Sequence, residues 1–196
     1  MLLSNLDPDH IAKLRRQLQA MTTQPAPMPW EKVAVHAIYG WMFGFAEKSD
    51  LLLIVSETGR EVFDCLLGRS IVREEEDLAW HNWGMGLAFE GIGPLGGQIV
   101  RLAGFYGGGL HTLTVDCWQL YAIAPIWPDY RVILFPPEAR TFSENNPAAY
   151  NLKICVQVEQ LQDILAVGFS PTGRSFIIAQ HHTLHVYTRS CLHLAR

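Results

Sequence analysis

The sequence is poor in charge, and its basic residues form no cluster. Charged residues make up 17% of the 196 residues, and 15 lysines and arginines against 19 acidic residues give a formal net charge of −4. Nucleic-acid binding normally requires a clustered basic surface. The composition therefore argues against a nucleic-acid partner.

Long apolar runs and paired cysteines are also missing. No segment approaches the roughly 20 apolar residues of a membrane-spanning helix. No apolar run follows a basic start, so we expect no signal peptide and no membrane contact. The cysteines Cys65, Cys117, Cys155 and Cys191 are widely spaced, with no CxxC pair. Free, mostly buried thiols in a reducing compartment fit this spacing better than a disulfide framework, so we expect a cytoplasmic protein.

What the chain does contain favours a compact, β-rich domain. Apolar residues make up 49% of the sequence, enough for a sizeable core, and the length suits one domain. The 16 glycines and 11 prolines are more than a helical bundle tolerates, and both residue types punctuate strands and turns. We predict a mainly β fold, with propeller-like or sandwich-like antiparallel sheets behind one N-terminal α-helix.

That helix is predicted over residues 7–21. Asp7 can cap it, and Pro8 suits its first position. An apolar stripe at helical spacing is formed by Ile11, Leu14, Leu18 and Met21. A helix this short needs a docking site, which is either the chain's own β core or a partner protein.

Alternate prolines at 25, 27 and 29 predict an extended linker, so residues 1–32 form an appendage to a β domain over 33–196. Within that domain, residues 159–165 could form a helical turn. Candidate strands are 33–46 (split by Gly40 and Gly44), 51–56, 61–65, 86–90, 97–105, 117–124, 130–135, 153–158, 175–180 and 183–188.

Two stretches of the chain are similar to each other and align without a gap. The segment that begins at Phe45 aligns with the segment that begins at Phe169, an offset of 124 residues. Both read as a turn, a buried strand, a polar turn and a strand that ends on an aromatic residue, at Phe63 and Tyr187. Three units of about 41 residues fit this offset, which is the length of a propeller blade.

The second stretch, Val167-Gly168-Phe169-Ser170-Pro171-Thr172-Gly173-Arg174 followed by His185-Val186-Tyr187, resembles the central part of a WD40-type propeller repeat. The first, from Gly44 to Asp64, is similar. Neither unit carries the family's closing Trp-Asp pair. The resemblance implies a β-propeller, but the chain after the linker has room for at most four blades. A β-sandwich and an incomplete stack of sheets therefore stay open as alternatives.

The whole chain also resembles a group of bacterial proteins that share a GxGVFDCxxG stretch. Here that stretch runs from Thr58 to Arg69, with Glu61 before Val62. This resemblance implies no activity.

Three patterns suggest chemistry, but local context argues against each. The GxGxxG string Gly91–Gly96 is followed by more glycines rather than by a helix, so we expect a β-turn, not a dinucleotide site. His181, His182 and His185, with Cys191 and His193 nearby, would lie on a strand. There, His181 and His185 share a face but lie roughly 13 Å apart, too far for one metal ion. We expect no metal and no cofactor.

The cysteines are the third pattern. Cys65, Cys117 and Cys155 could each act as a nucleophile beside a distant histidine. However, Asp64 and Asp116 directly precede two of them, and a neighbouring carboxylate raises the pKa of a thiol. We therefore predict core packing for these cysteines.

One dense charge run, from Arg73 to Asp77, precedes two tryptophans. It is either a solvated loop or a contact surface on which acids steer a basic partner and tryptophans anchor it. The candidate partner-binding residues are Glu74, Glu75, Glu76, Asp77, Trp80 and Trp83. The sequence thus favours a non-catalytic protein-binding module with an interaction, assembly or inhibitor/immunity-type role. The alternative is a small-molecule-binding protein or enzyme that uses the glycine- and aromatic-rich segment 80–118.

Overall fold

The computed structural model describes residues 8–76, 87–105, 107–139 and 152–189, with side chains from residue 12 onward. These residues form one α-helix, α1 (Pro8–Ala20), and fourteen strands. In chain order the strands are β1 (Trp30–Ala37), β2 (Met42–Phe45), β3 (Leu51–Ser56), β4 (Gly59–Asp64), β5 (Arg69–Glu75), β6 (Ala88–Glu90), β7 (Ile99–Arg101), β8 (Ala103–Gly104), β9 (Gln119–Ile126), β10 (Asp129–Phe135), β11 (Val156–Leu161), β12 (Ala166–Phe169), β13 (Ser175–Ala179) and β14 (Thr183–Arg189). The predicted fold class, mainly β behind one N-terminal helix, is confirmed.

The strands form three antiparallel sheets and a hairpin. Sheet 1 has the order β5-β4-β3-β2-β8, sheet 2 the order β1-β14-β13-β12, and sheet 3 the order β11-β10-β9, while β6 pairs with β7. In the part of the chain that the structure describes, the sheets are not closed into the ring of a propeller.

The sheets stack face to face because their central strands are apolar on both faces. In β3, Leu52 and Ile54 pack against sheet 2, whereas Leu53 and Val55 pack against the β6–β7 hairpin. Phe176 on the far face of sheet 2 packs against sheet 3. The layer order is therefore the hairpin, sheet 1, sheet 2, sheet 3.

Helix α1 covers the outer face of sheet 3. Leu18 and Met21 pack against Ile133 and Phe135, so the apolar stripe docks on the chain's own core. Asp7 and the side chains of Pro8 and Ile11 lie outside the described parts of the structure.

Sheets 1 and 2 contain the same three-strand unit, β2–β4 and β12–β14. Phe45 pairs with Leu52, and 124 positions later Phe169 pairs with Phe176. The pairing of β3 with β4 has the same register as the pairing of β13 with β14. An outer strand completes each unit with a β-bulge at the equivalent place, and this strand is β5 in sheet 1 but the N-terminal β1 in sheet 2. The predicted antiparallel pairs at 51–65 and 175–187 are confirmed.

The two units also stack in the same direction. Leu52 faces sheet 2, and its counterpart Phe176 faces sheet 3. Leu53 faces the hairpin, and its counterpart Ile177 faces sheet 1. Each unit thus presents the same face to the next layer.

Three boundary predictions are wrong. The loop alternative for the charge run is wrong for residues 73–75, which belong to β5, an exposed edge strand that lacks the apolar alternation of a buried strand. Asp77 lies outside the described residues. Residues 159–161 continue β11 rather than form a helical turn. The first strand begins at Trp30, a buried residue, instead of near Val33.

The proline-rich segment is not the free, extended linker that was predicted. It contains a turn at residues 28–29, closed by the Trp30 amide donating to the Pro27 carbonyl at 2.9 Å, and it is fixed against sheet 3. The Gln24 amide donates to the Gln157 carbonyl at 2.9 Å, and the Gln157 side-chain amide donates to Thr23 Oγ1 at 2.9 Å. Ala26 packs into the cluster between sheets 2 and 3. The segment therefore acts as a short addition to the edge of sheet 3.

Candidate functional site

Five ring side chains meet at one end of sheets 1 and 2. They are Tyr39 and Trp41 in the β1–β2 loop, Phe105 after β8, and His181 and His182 in the β13–β14 turn. Ring centroids lie 5.6 Å apart for Tyr39 and His182 and 5.1 Å apart for Trp41 and Phe105. Tyr39 is 69% exposed and Phe105 is 54% exposed. We call these five residues the aromatic cluster.

Backbone hydrogen bonds hold the aromatic cluster in place. The Trp41 amide donates to the Val55 carbonyl at 2.9 Å, and the Phe105 amide donates to the Trp41 carbonyl at 3.0 Å. The β1–β2 loop joins the outer strand of sheet 2 to an inner strand of sheet 1, so it brings rings from both sheets together. The cluster is thus presented by strand ends rather than by a long loop.

Charged residues border the aromatic cluster. Arg60 at the start of β4 lies 2.9 Å from the Glu76 carboxylate and 3.7 Å from that of Glu74. Its guanidinium also donates to the Glu90 carbonyl at 3.1 Å. Tyr39 shares a small cleft with Arg60 and Arg73. Arg60 therefore links the Tyr39 side of the aromatic cluster to Glu74 and Glu76 at the end of β5.

The structure brings together only some of the predicted contact residues. Glu74, Glu75 and Glu76 are exposed, and Glu74 and Glu76 pair with Arg60, which lines the cleft next to Tyr39. Asp77, Trp80 and Trp83 lie outside the described residues. Tyr39 and Trp41 were not predicted as anchors, although a Tyr-Gly-Trp sequence between two strands is the signal that could have identified them.

The histidines are arranged differently from the prediction. His181 and His182 lie in the turn before β14, whereas His185 lies on the strand, so His181 and His185 do not share a strand face. Within residues 8–76, 87–105, 107–139 and 152–189, no three His, Cys, Asp or Glu residues are grouped to hold a metal ion. Cys191 and His193 lie beyond these ranges.

The GxGxxG string forms the connection of the β6–β7 hairpin, with a single 3-10 turn at Gly93–Leu95. This is the predicted turn. A pyrophosphate would need the free amides of an α-helix at this point, and the chain continues into β7 instead.

Two of the predicted core cysteines are buried thiols. Burial, with the charges of Asp50 and Asp64, raises the pKa of Cys65 well above its usual value. Burial also raises the pKa of Cys155 to about 12. Both thiols therefore stay protonated at neutral pH and pack in the core, as predicted, whereas Cys117 is exposed.

A buried carboxylate connects sheets 1 and 2. Asp50, in the β2–β3 turn, is only 6% exposed. It accepts hydrogen bonds from Ser170 and Ser175, each at 2.7 Å, and from Thr172 at 2.8 Å. The three hydroxyls replace the water that the carboxylate loses on burial.

A second polar group lies on the opposite side of sheet 2, beside the proline-rich segment. Glu159 Oε1 accepts hydrogen bonds from Lys32 Nζ and, at 2.9 Å, from the Tyr187 hydroxyl, and it lies 3.2 Å from His185 Nδ1. Burial alone would raise the pKa of Glu159, but these three partners outweigh it and lower the pKa to about 2. The carboxylate is therefore ionised across the physiological range.

Comparison of the chain with protein-family models, with curated proteins and with solved structures finds no match. Among the described residues, no helix has the length and the apolar character to cross a membrane.

Proposed function

We propose that this chain is a non-catalytic protein-binding module that contacts its partner through the aromatic cluster and the acidic residues Glu74, Glu75 and Glu76. The observation that carries the proposal is the set of exposed rings, Tyr39 and Phe105 above all, held rigidly beside a charged strip. Aromatic residues are enriched at the energetic centres of protein interfaces, and neighbouring charges steer association.

The shape of this surface favours a macromolecular partner over a small ligand. The cleft beside Tyr39 has an accessible volume of about 10 Å³, which is room for about one water molecule. Small-molecule sites enclose most of their ligand in a concave pocket. Exposed rings around so small a cleft are instead suited to a partner that brings its own complementary surface.

We also infer that the three-strand unit of sheets 1 and 2 is a WD40-like blade. Support comes from the identical strand register, the shared bulge position and the common stacking direction of the two units. Propeller-type folds carry no chemistry of their own and present turns at the ends of their blades, which is where the aromatic cluster lies.

Site-specific photo-crosslinking in the native cell tests the binding surface. A benzophenone amino acid at position 39 should capture a discrete protein adduct. The matched control is position 115, a fully exposed valine beside the turn at the other end of sheet 2. Adducts at position 115 equal to those at 39, or none at 39, would contradict the proposal.

Once the partner is purified, kinetics separate the roles of the residues. Changing Glu74, Glu75 and Glu76 to Gln should slow association and flatten its salt dependence, and Trp41→Ala should speed dissociation. Trp80 remains a predicted anchor, for which Trp80→Ala should behave like Trp41→Ala. Unchanged kinetics in variants that fold normally would place the interface elsewhere.

A further inference from the structure

A groove of about 500 Å³ lies between the proline-rich segment and sheets 2 and 3. Pro25, Ala26 and Val158 supply apolar walls, and Glu31, Lys32 and Glu159 supply charge. The volume falls in the range of small-molecule sites, which are mostly apolar with a few converging polar groups. Neither the aromatic cluster nor the described part of segment 80–118 contributes to this groove.

Some hydrogen-bonding atoms of the polar groups in the groove have no partner among the described residues. The Lys32 ammonium has three N–H donors, and one of them is bound by Glu159 Oε1. His185 Nδ1 donates to the same oxygen, so it is not an acceptor for Lys32, whose Nζ lies 3.5 Å away. At least one Lys32 donor therefore remains. In Glu159 the protein bonds converge on Oε1, and no described residue donates to Oε2. The groove thus presents a free cationic donor next to a free carboxylate oxygen.

Glu31 adds a further acceptor. Its side chain is exposed on the wall of the groove and forms no ion pair with any residue in the described ranges. With one ammonium and two carboxylates, the walls carry a negative charge on balance. A simple anion is therefore disfavoured, and a ligand with both signs of charge can pair with both kinds of group.

We propose that this groove binds a small zwitterion with an apolar side chain, namely an apolar α-amino acid. The ligand carboxylate pairs with Lys32, and the ligand ammonium pairs with Glu31 and Glu159 Oε2. The apolar side chain lies against Pro25, Ala26 and Val158. Because the Lys32–Glu159–Tyr187 cluster is already assembled by hydrogen bonds, the charged part of the site is preorganised.

Calorimetric titration of the full chain with L-leucine, L-phenylalanine and L-methionine tests the site. At least one should bind saturably with one site per chain. N-acetyl-leucine lacks the ammonium and leucinamide lacks the carboxylate, so each should bind at least tenfold more weakly than leucine. Lys32→Met keeps the aliphatic stem and should abolish binding, whereas Lys13→Met, on the exposed face of α1, should leave it unchanged.

Three results would overturn the proposal: no saturable binding of any of the three amino acids, equal binding of the capped analogues, or full binding by Lys32→Met. If Lys32→Met fails to fold, Glu31→Gln takes its place, because Glu31 is exposed and unpaired among the described residues; it should weaken leucine binding at least threefold. Binding to Glu31→Gln equal to that of the unchanged chain would then count against the site.

Discussion

At the scale of single residues, charges in this molecule are held by partners from distant parts of the sequence. Glu159 on β11 is bound by Lys32 on β1 and by Tyr187 on β14. Arg189 lies over the Trp30 ring and donates to Asp116 at 2.8 Å. Partial burial alone would raise the pKa of Asp116, but the bonds from Arg189 and Thr114 lower it.

These carboxylates make stability depend on acid pH. The pKa of Glu159 falls from 4.5 to about 2 on folding, so the stabilisation is complete above about pH 5 and is lost as the pH falls towards 2. We expect the free energy of unfolding to drop by roughly 1–2 kcal/mol between pH 5 and pH 3, after discounting for partial solvent exposure. Urea denaturation at pH 7, 5 and 3 measures this change in the free energy of unfolding.

Glu159→Gln is the control for that drop. It removes the titrating carboxylate but keeps an acceptor for Tyr187, so the pH dependence should become shallower than in the unchanged chain. An identical slope in both proteins would assign the acid sensitivity to other residues, with Asp116 the next to test.

At the scale of elements, a glycine in the same strand position of each unit marks a close crossing. A Cβ on Gly44 would lie 2.1 Å from the Arg101 carbonyl oxygen. A Cβ on Gly168 would lie 2.8 Å from the His111 carbonyl oxygen and 2.4 Å from Leu110 Cβ. Glycine inside a strand is typical of places where another backbone approaches.

Gly168→Ala should therefore destabilise the fold by about 2–4 kcal/mol, because backbone atoms must shift to admit the methyl group. Gly109→Ala is the matched control, since nothing lies within 4 Å of a Cβ there, and it should change stability by less than about 1 kcal/mol. Chemical denaturation of the two variants gives the comparison, and equal losses would refute the crossing as the cause.

The elements also show which patterns a sequence reveals. Strands β3 and β13 were predictable because apolar runs bounded by polar turns are typical of buried strands. Strand β5 was not, because its exposed, charged residues carry no periodicity. The aromatic cluster was missed for a related reason, since its rings come from three segments that only the sheet pairing brings together.

At the scale of the whole molecule, the stack is held by contacts between turns as well as by the apolar layers. Asp50 and its three hydroxyl partners join the β2–β3 turn of sheet 1 to the β12–β13 turn of sheet 2. The internal repeat in the sequence predicted both three-strand units. It did not predict that the turn of one would carry the carboxylate and the turn of the other its donors.

Asp50→Ala should lower the free energy of unfolding by about 2–4 kcal/mol, because it leaves Ser170 and Ser175 buried without their acceptor. Glu47→Ala, an exposed change in the same turn, should have almost no effect. Urea denaturation of both variants tests this. A loss below about 1 kcal/mol for Asp50→Ala would mean that the hydroxyls find other partners.

The pairing of β1 with β14 also governs when the protein can mature. Residues 30–37 are synthesised about 150 residues before the strand they pair with, at 183–189. At typical rates of synthesis the wait between the two strands is on the order of 10 s. During that time β1 has no partner strand, and pairing across such a chain distance is intrinsically slow. Sheet 2 can therefore be completed only after the strands of sheets 1 and 3 have been synthesised.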